Sequence, residues 1–189
     1  MPRASRNQLR IIAGEWRGRK LPFADVEGLR PTPDRVRETL FNWLAPMIEG
    51  AHCLDLFAGS GALGLEALSR GAAEVVMLDQ HPKVIQQLKT NLASLDCERA
   101  AVQQADALSY LQQTPGKPFE VVFLDPPYRK DLLAPCCELL NEQAWLAKGA
   151  RVYLENERGY TLPALPENWQ LARSKKAGQV AYHLAIVGG

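Results

Sequence analysis

From Gly50 onward the chain alternates short apolar stretches with helix-patterned ones, and this alternation restricts the fold more than any other feature. His52–Phe57, Glu74–Asp79, Ala101–Ala105, Phe119–Asp125 and Gly149–Glu155 read as strands. Between them Ala62–Arg70, Pro82–Leu95, Ala107–Gln113 and Lys130–Trp145 read as helices. A run such as Val121-Val122-Phe123-Leu124 is apolar on both faces, so its sheet must be covered on both sides. Strand–helix alternation makes such a sheet parallel and doubly wound. Trp169–Arg173 and Gln179–Val187 have no long helix between them and read as an antiparallel pair closing the sheet.

Upstream, Leu9–Ala13 and Arg19–Pro22 flank Gly14-Glu15-Trp16-Arg17-Gly18, the pattern of a β-hairpin with a glycine-bounded turn. Leu29–Pro33 then reads as extended linker, because proline disfavours helix at the residue before it. A helix is expected next, with Thr32 as N-cap, Pro33 in the first helical position and Asp34 at the positive dipole end. We therefore divide the chain into a basic hairpin extension and linker, residues 1–31, and a main α/β domain, residues 32–189.

Charge separates the same two segments. Residues 1–20 carry Arg3, Arg6, Arg10, Arg17, Arg19 and Lys20 against the single acid Glu15, a net +5, whereas the whole chain is only +1. A basic arm on a mildly acidic body suits a polyanionic partner; a solvated terminus has the same composition. No apolar run approaches the roughly 20 residues that span a bilayer, and Met1–Arg6 lacks the apolar stretch of a secretory signal. A cytoplasmic protein is the expectation. Cys53, Cys97, Cys136 and Cys137 contain no C-x-x-C pair, and His52, His81 and His183 are far apart, so no metal site is expected.

In an open α/β sheet, ligands sit where strands end. The first strand runs into Asp55-Leu56-Phe57-Ala58-Gly59-Ser60-Gly61, whose glycines let backbone approach a ligand. The second ends at Asp79, where a carboxylate can accept both hydroxyl protons of an adenosine ribose. Gly59, Gly61 and Gly64 also fit the dinucleotide pattern G-x-G-x-x-G, so loop and Asp79 together leave a nicotinamide cofactor and S-adenosylmethionine equally open. Asp55 favours the latter. It would repel a pyrophosphate, and it suits a ligand with an ammonium and a sulfonium but no phosphate. Asp106 follows the third strand and can accept from an adenine amino group, or cap the next helix, or both. Phe57, Gln80 and Ala107 complete the candidate cofactor set.

The fourth strand ends in Asp125-Pro126-Pro127-Tyr128. Two prolines remove two N–H donors and leave their carbonyls as acceptors beside a carboxylate and an aromatic ring. The amino group of a base is a poor nucleophile because its lone pair is delocalised into the ring. Two acceptors, the Asp125 carboxylate and the Pro126 carbonyl, can localise that lone pair. Tyr128 can stack on the base, which contributes about 1–3 kcal/mol. Whether Asp125 also takes the proton stays open. The alternative is a plain Pro-Pro turn with Tyr128 as packing.

These residues, with Arg10–Leu21, Leu29–Leu44, Leu54–Arg70 and Ala177–Tyr182, give a sequence that resembles the bacterial 16S ribosomal RNA guanine-N2 methyltransferases of the RsmD type over nearly its whole length. The resemblance implies a Rossmann-like S-adenosylmethionine-dependent methyltransferase fold, with a seven-stranded, mostly parallel sheet and an N-terminal β-hairpin extension. It implies methyl transfer to the N2 amino group of a guanine in 16S ribosomal RNA, within an assembled or partly assembled 30S particle. It maps the cofactor site onto Asp55, Gly59, Ser60, Gly61, Asp79 and Asp106, and the catalytic motif onto Asp125–Tyr128. Related enzymes often carry Asn at the first motif position and Phe at the last.

The basic residues then acquire a candidate role. Arg10, Arg17, Arg19 and Lys20 would grip RNA phosphates, Arg30, Arg35 and Arg37 flank the helix start near the target pocket, and Trp16 either stacks on a base or packs on the body. A monomer, with neither metal nor membrane, is expected. Three rivals remain: a methyltransferase for another amino group, a nicotinamide-dependent oxidoreductase, and a non-enzymatic RNA-binding assembly factor.

Overall fold

The structure, a computed structural model, describes residues 7–188. Arg3 and Arg6 lie outside the described residues. Strands β1 (Gln8–Arg10) and β2 (Lys20–Pro22) form the hairpin, antiparallel with Leu9 opposite Leu21. Helix α1 (Asp34–Leu44) leads into β3 (His52–Asp55), α2 (Ala62–Ser69), β4 (Glu74–Asp79), α3 (Pro82–Ser94), β5 (Ala100–Gln104), α4 (Ala107–Leu111), β6 (Phe119–Leu124) and α5 (Leu133–Glu142). The chain closes with β7 (Leu146–Glu157), β8 (Trp169–Ala177) and β9 (Val180–Val187). The main sheet has seven strands in the order β5-β4-β3-β6-β7-β9-β8. The first five are parallel; β9 runs antiparallel to both β7 and β8. This is the Rossmann-like methyltransferase fold that the sequence implies. After β5 the chain returns to lay β6 beside β3, so the strand order reverses between these two, and a crevice opens outside their C-terminal ends.

Alternation along the strands sorts side chains into two apolar layers. Cys53, Val75, Met77, Val121, Phe123 and Tyr153 meet α1, α2, α3 and the hairpin; Leu54, Leu56, Val76, Leu78, Val122, Leu124 and Leu154 meet α4 and α5. Leu9, Ile11, Trp16 and Leu21 are buried in the first layer, so hairpin and sheet share one core. Each such aliphatic side chain contributes roughly 1.5–3 kcal/mol by leaving water.

Polar contacts pin the hairpin to α2. The Ile12 and Ala13 N–H groups donate to Glu66 at 3.0 and 3.1 Å, and the Glu15 N–H donates to the Ser69 carbonyl at 2.8 Å. Gly14 makes that approach possible: at φ +84° a Cβ would stand 1.9 Å from the Ser69 carbonyl oxygen. Glu66, fully buried, also binds Arg70 at 2.9 Å and Arg37 at 3.3 Å.

Two expectations at the helix start need correction. Pro33, not Thr32, holds the N-cap position of α1, and no side chain caps it; the Thr32 carbonyl instead accepts from the Arg37 Nε at 3.1 Å. Arg37 itself is 1% exposed, bonded to the Thr32 and Arg10 carbonyls, Asp34 and Glu66. It ties three segments together and cannot reach an RNA phosphate. The last helix is also shorter than the expected Lys130–Trp145, and β7 starts at Leu146, before the expected Gly149.

Candidate functional site

The strand register carries a set of carboxylates to one rim of the sheet. Asp55 pairs with Met77, so Asp79 stands two residues further along β4, level with Phe57. Leu124 pairs with Leu154, so Asp125 and Glu155 are the next residues on adjacent strands, whose backbones lie about 4.8 Å apart. Period-two alternation then puts Asp55, Asp79, Asp125 and Glu155 on the same face, the one toward α1–α3. All four line a cleft of about 1030 Å³. The loop Val26–Pro33 and the turn Ala177–Val180 supply its other walls. A smaller hollow at Glu138, Asn141 and Asn168 touches none of these residues.

The glycine loop is built to serve Asp55. Gly61 caps α2 with φ +83°, a left-handed conformation that a side chain resists, and a Cβ there would strike Leu65 and Leu88. Its turn presents the α2 N-terminus to Asp55, whose Oδ2 accepts the Gly64 N–H at 3.1 Å. The Ala62 N–H donates to Ser60 Oγ at 3.3 Å. A helix N-terminus attracts anions, and here the protein's own carboxylate has taken that place. Asp55 Oδ1 is buried with no hydrogen-bond partner. Burial pushes the Asp55 carboxyl up to about 7, opposed by the Gly64 and Phe57 N–H groups and aided by the charge of Asp79. Asp79 takes the Gly59 N–H at 3.1 Å on one oxygen and the His81 N–H at 2.9 Å on the other.

Asp125 is the second carboxylate with an orphaned oxygen: its Oδ1 is buried and unpartnered. Burial raises its pKa well above the carboxylate range, and the charges of Glu155 and Asp55 raise it further. Pro126 is buried, while Pro127 and Tyr128 are exposed at the cleft. The Tyr128 hydroxyl donates to Glu155 Oε1 at 3.4 Å, and the Tyr153 hydroxyl donates to Glu155 Oε2 at 2.8 Å.

Of the candidate cofactor residues, Asp55, Phe57, Gly59, Ser60, Asp79, Gln80 and Ala107 line the cleft. Gly61 lies behind it, and Asp106 caps α4 through the Ser109 N–H at 2.9 Å while accepting from Gln80 Nε2 at 2.7 Å. Of the basic candidates, Arg30 and Arg35 line the cleft; Arg10, Arg17, Arg19 and Lys20 are exposed outside it. Trp16 is buried beneath the Arg99 guanidinium, 5.7 Å from the ring centroid, and so packs on the body.

Glu155, Tyr153, His81 and Lys130 were not singled out from the sequence. For Glu155 the signal is there: it ends the fifth strand of the alternation, where the rule that selects Asp55, Asp79 and Asp125 also applies. Among the described residues no cluster of three or more His, Cys, Asp and Glu could hold a metal, and no helix is long and apolar enough to cross a membrane.

Known proteins share both sequence and architecture with this chain. The family described as conserved hypothetical protein 95 matches residues 9–186. Ribosomal RNA small subunit methyltransferase D of Escherichia coli strain K12 is 56% identical over 177 residues, covering 94% of this chain and 89% of the relative. The Haemophilus influenzae protein of the same description is 50% identical over 183 residues, covering 95% and 94%. Among solved structures, the putative methyltransferase yhhF from Escherichia coli superposes with a TM-score of 0.90 at 53% identity, covering 96% of this chain and 99% of that one.

Proposed function

The chain belongs to the conserved hypothetical protein 95 family of RsmD-type ribosomal RNA methyltransferases, and from that premise we propose that it methylates the exocyclic N2 amino group of a guanine in 16S ribosomal RNA. Its methyl donor in this reading is S-adenosylmethionine, and its substrate is the RNA within an assembled or partly assembled 30S particle. The protein acts as a cytoplasmic monomer without a metal. The observation that carries the reading is Asp125: a buried carboxylate with an orphaned oxygen, set beside two prolines that offer carbonyls and no N–H.

The residues present fit the donor. S-adenosylmethionine, when bound, supplies a methyl group on a sulfonium, which leaves as a neutral thioether. Asp55 Oδ1 is an unpartnered buried acceptor, suited to an ammonium directly or through water. Asp79 suits ribose hydroxyls, Phe57, Gly59, Ser60 and Gln80 flank them, and the Asp106–Ala107 turn suits the adenine edge. With Asp55 bonded at the α2 N-terminus, a dinucleotide pyrophosphate would find the N–H it needs already taken by a carboxyl group.

The chain's own groups then prepare the base. Asp125 and the Pro126 carbonyl accept the two amino hydrogens and localise the nitrogen lone pair. Tyr128 fixes the plane of the ring, and confinement in the cleft supplies orientation. As nitrogen gains the methyl it loses one proton, which Asp125 receives and passes to water. Outside the cleft, Arg10, Arg17, Arg19 and Lys20 hold phosphates, with Arg30 and Arg35 at the pocket.

Incubating the purified protein with labelled S-adenosylmethionine and 30S particles from cells lacking it tests this. N2-methylguanosine is expected at one position. Asp125→Ala is expected to lower transfer on the order of 10²–10⁴-fold while binding S-adenosylhomocysteine within about threefold of wild type. A methylated adenine, tight binding of NAD instead of S-adenosylhomocysteine, or full activity in that variant overturns the reading.

A further inference from the structure

We infer that Glu155 selects the target base, accepting the N1–H of a guanine whose N2 amino group is held at Asp125. The inference rests on the methyl-transfer reading above and goes beyond it by naming what excludes the other amino-bearing bases.

Glu155 is placed by the sheet. It follows Leu154 on β7 as Asp125 follows Leu124 on β6, and those two leucines are register partners. The carboxylates are therefore neighbours on one face, and both line the cleft. Glu155 is 9% exposed, so its orientation is set by packing and by two hydroxyl donors. Tyr153, itself buried in the sheet's core, donates to Oε2 at 2.8 Å; Tyr128, at the cleft, donates to Oε1 at 3.4 Å. An ionised carboxylate offers about four lone-pair sites, and these two bonds leave capacity on both oxygens. Beside it the orphaned Asp125 Oδ1 is a buried acceptor without a donor, which is costly, so the cleft favours a ligand that brings donors.

The floor beside Asp125 thus carries a row of acceptor groups: Asp125 with its orphaned Oδ1 and, on the adjacent strand, Glu155, with Pro126 also lining the cleft. The two prolines supply no N–H to interrupt it. Among amino-bearing bases, guanine alone matches such a row, because its N1–H and N2–H₂ are adjacent donors. Adenine places the lone pair of N1 beside its amino group, and cytosine places the lone pair of N3 there. With the amino group of either held at Asp125, that lone pair would face the Glu155 carboxylate. A site that pairs buried polar groups with a substrate rejects analogues that leave them unpaired far more strongly than an apolar pocket can. Tyr128 joins the two roles: its ring, exposed at the cleft, is available to stack on the base, and its hydroxyl steadies the group that reads the base edge.

2-Aminopurine separates recognition from support, since it keeps the N2 amino group and replaces the N1–H with a lone pair. The experiment compares kcat and KM on reconstituted 30S particles carrying guanine or 2-aminopurine at the mapped position, for wild type and Glu155→Gln. Wild type is expected to prefer guanine by about 100-fold or more in kcat/KM. Glu155→Gln can turn an amide N–H toward N1, and should narrow that preference to under about tenfold. Its binding of S-adenosylhomocysteine and of particles, measured separately, should stay within about threefold of wild type. An unchanged preference in Glu155→Gln, whatever its rate, overturns the inference and leaves Glu155 a prop for Tyr128. Should that variant not fold, wild type decides alone: comparable rates on the two bases refute it. Absence of any N2-methylguanine product defeats the underlying reading instead, so the two failures are told apart.

Discussion

Asp55 Oδ2 is satisfied by the Gly64 N–H while Oδ1 is buried and unpartnered, so the ligand-free fold favours the protonated acid. Its carboxyl is pushed up to about 7 from an ordinary value near 3.8, chiefly by burial. The sign follows from linkage: below the unfolded value both states are protonated and nothing is lost, and stability declines as pH rises through the folded value. Asp55→Asn removes that decline. Its melting temperature should match wild type near pH 4 and exceed it increasingly toward pH 8 in the absence of ligand. Binding carries the opposite dependence, because an ammonium favours the ionised acid. The affinity of wild type for S-adenosylhomocysteine, which retains that ammonium, should rise across pH 6–8, and the affinity of Asp55→Asn should stay flat. Titration calorimetry of both proteins at three pH values checks this, and a dependence that survives in Asp55→Asn removes Asp55 from the ligand. Tyr128 makes a second residue-scale case, because ring and hydroxyl contribute differently. Losing the stacking surface in Tyr128→Ala should raise the particle KM roughly 5- to 150-fold, the equivalent of about 1–3 kcal/mol. Tyr128→Phe keeps the ring and should leave KM within about threefold; a rise equal to that of Tyr128→Ala would show that the hydroxyl, not the ring, carries binding.

Helix α2 is short and apolar, yet Glu66 at its centre receives Arg37 from α1, Arg70 from its C-cap and two hairpin N–H groups. Breaking a buried charge pair by deleting one partner costs about 3–5 kcal/mol, because the other charge stays buried and uncompensated. Arg37→Ala should lose that much in urea unfolding, whereas Arg35→Ala, two residues away and exposed, should lose under about 0.5 kcal/mol. Equal losses would mean that the hub is not a determinant of stability. The pair also shows where sequence reading stops. Strand–helix alternation is a property of residue order, so the sheet, its direction and the strand-end carboxylates Asp55, Asp79 and Asp125 were legible. Helical spacing puts Arg37 on the face of Leu40, Phe41 and Leu44 and Arg35 on the opposite one, but the carboxylate that receives Arg37 comes from Glu66 on another helix, which no local pattern shows. Thr32 had the chemistry of a cap, but Pro33 in an extended conformation delayed the helix by one residue. Glu66 left a trace, a lone acid within Ala62-Leu63-Gly64-Leu65-Glu66-Ala67-Leu68; its partners lie up to 54 residues away, beyond any local pattern.

Over the whole molecule, acidic groups gather in the candidate cleft and basic ones on the exposed hairpin surface. The cleft floor holds Asp55, Asp79, Asp125 and Glu155, acceptors that suit a cation or hydrogen-bond donors and offer nothing to a phosphate backbone. In the proposed reading RNA is held from outside the floor, by the exposed Arg10, Arg17, Arg19 and Lys20 on the hairpin, with Arg30 and Arg35 at the cleft. The hairpin is fixed to the body, since Leu9, Ile11, Trp16 and Leu21 are packed into the main core and Gly14 seats its turn on Ser69. A phosphate contact releases condensed counterions, and each one lost flattens the dependence of log affinity on log salt by about 0.7–0.9. Replacing both Arg17 and Arg19 by Ala should therefore lower that slope by about 1.4–1.8. Because affinity falls with salt more gently in the variant, its deficit is largest at 50 mM salt and shrinks toward 300 mM. Filter binding of 30S particles across that range reads the slope, and S-adenosylhomocysteine affinity, measured in parallel, should not move. A deficit constant at every salt concentration would mean that the two arginines act through hairpin structure, because only charge neutralised on the RNA can change the slope.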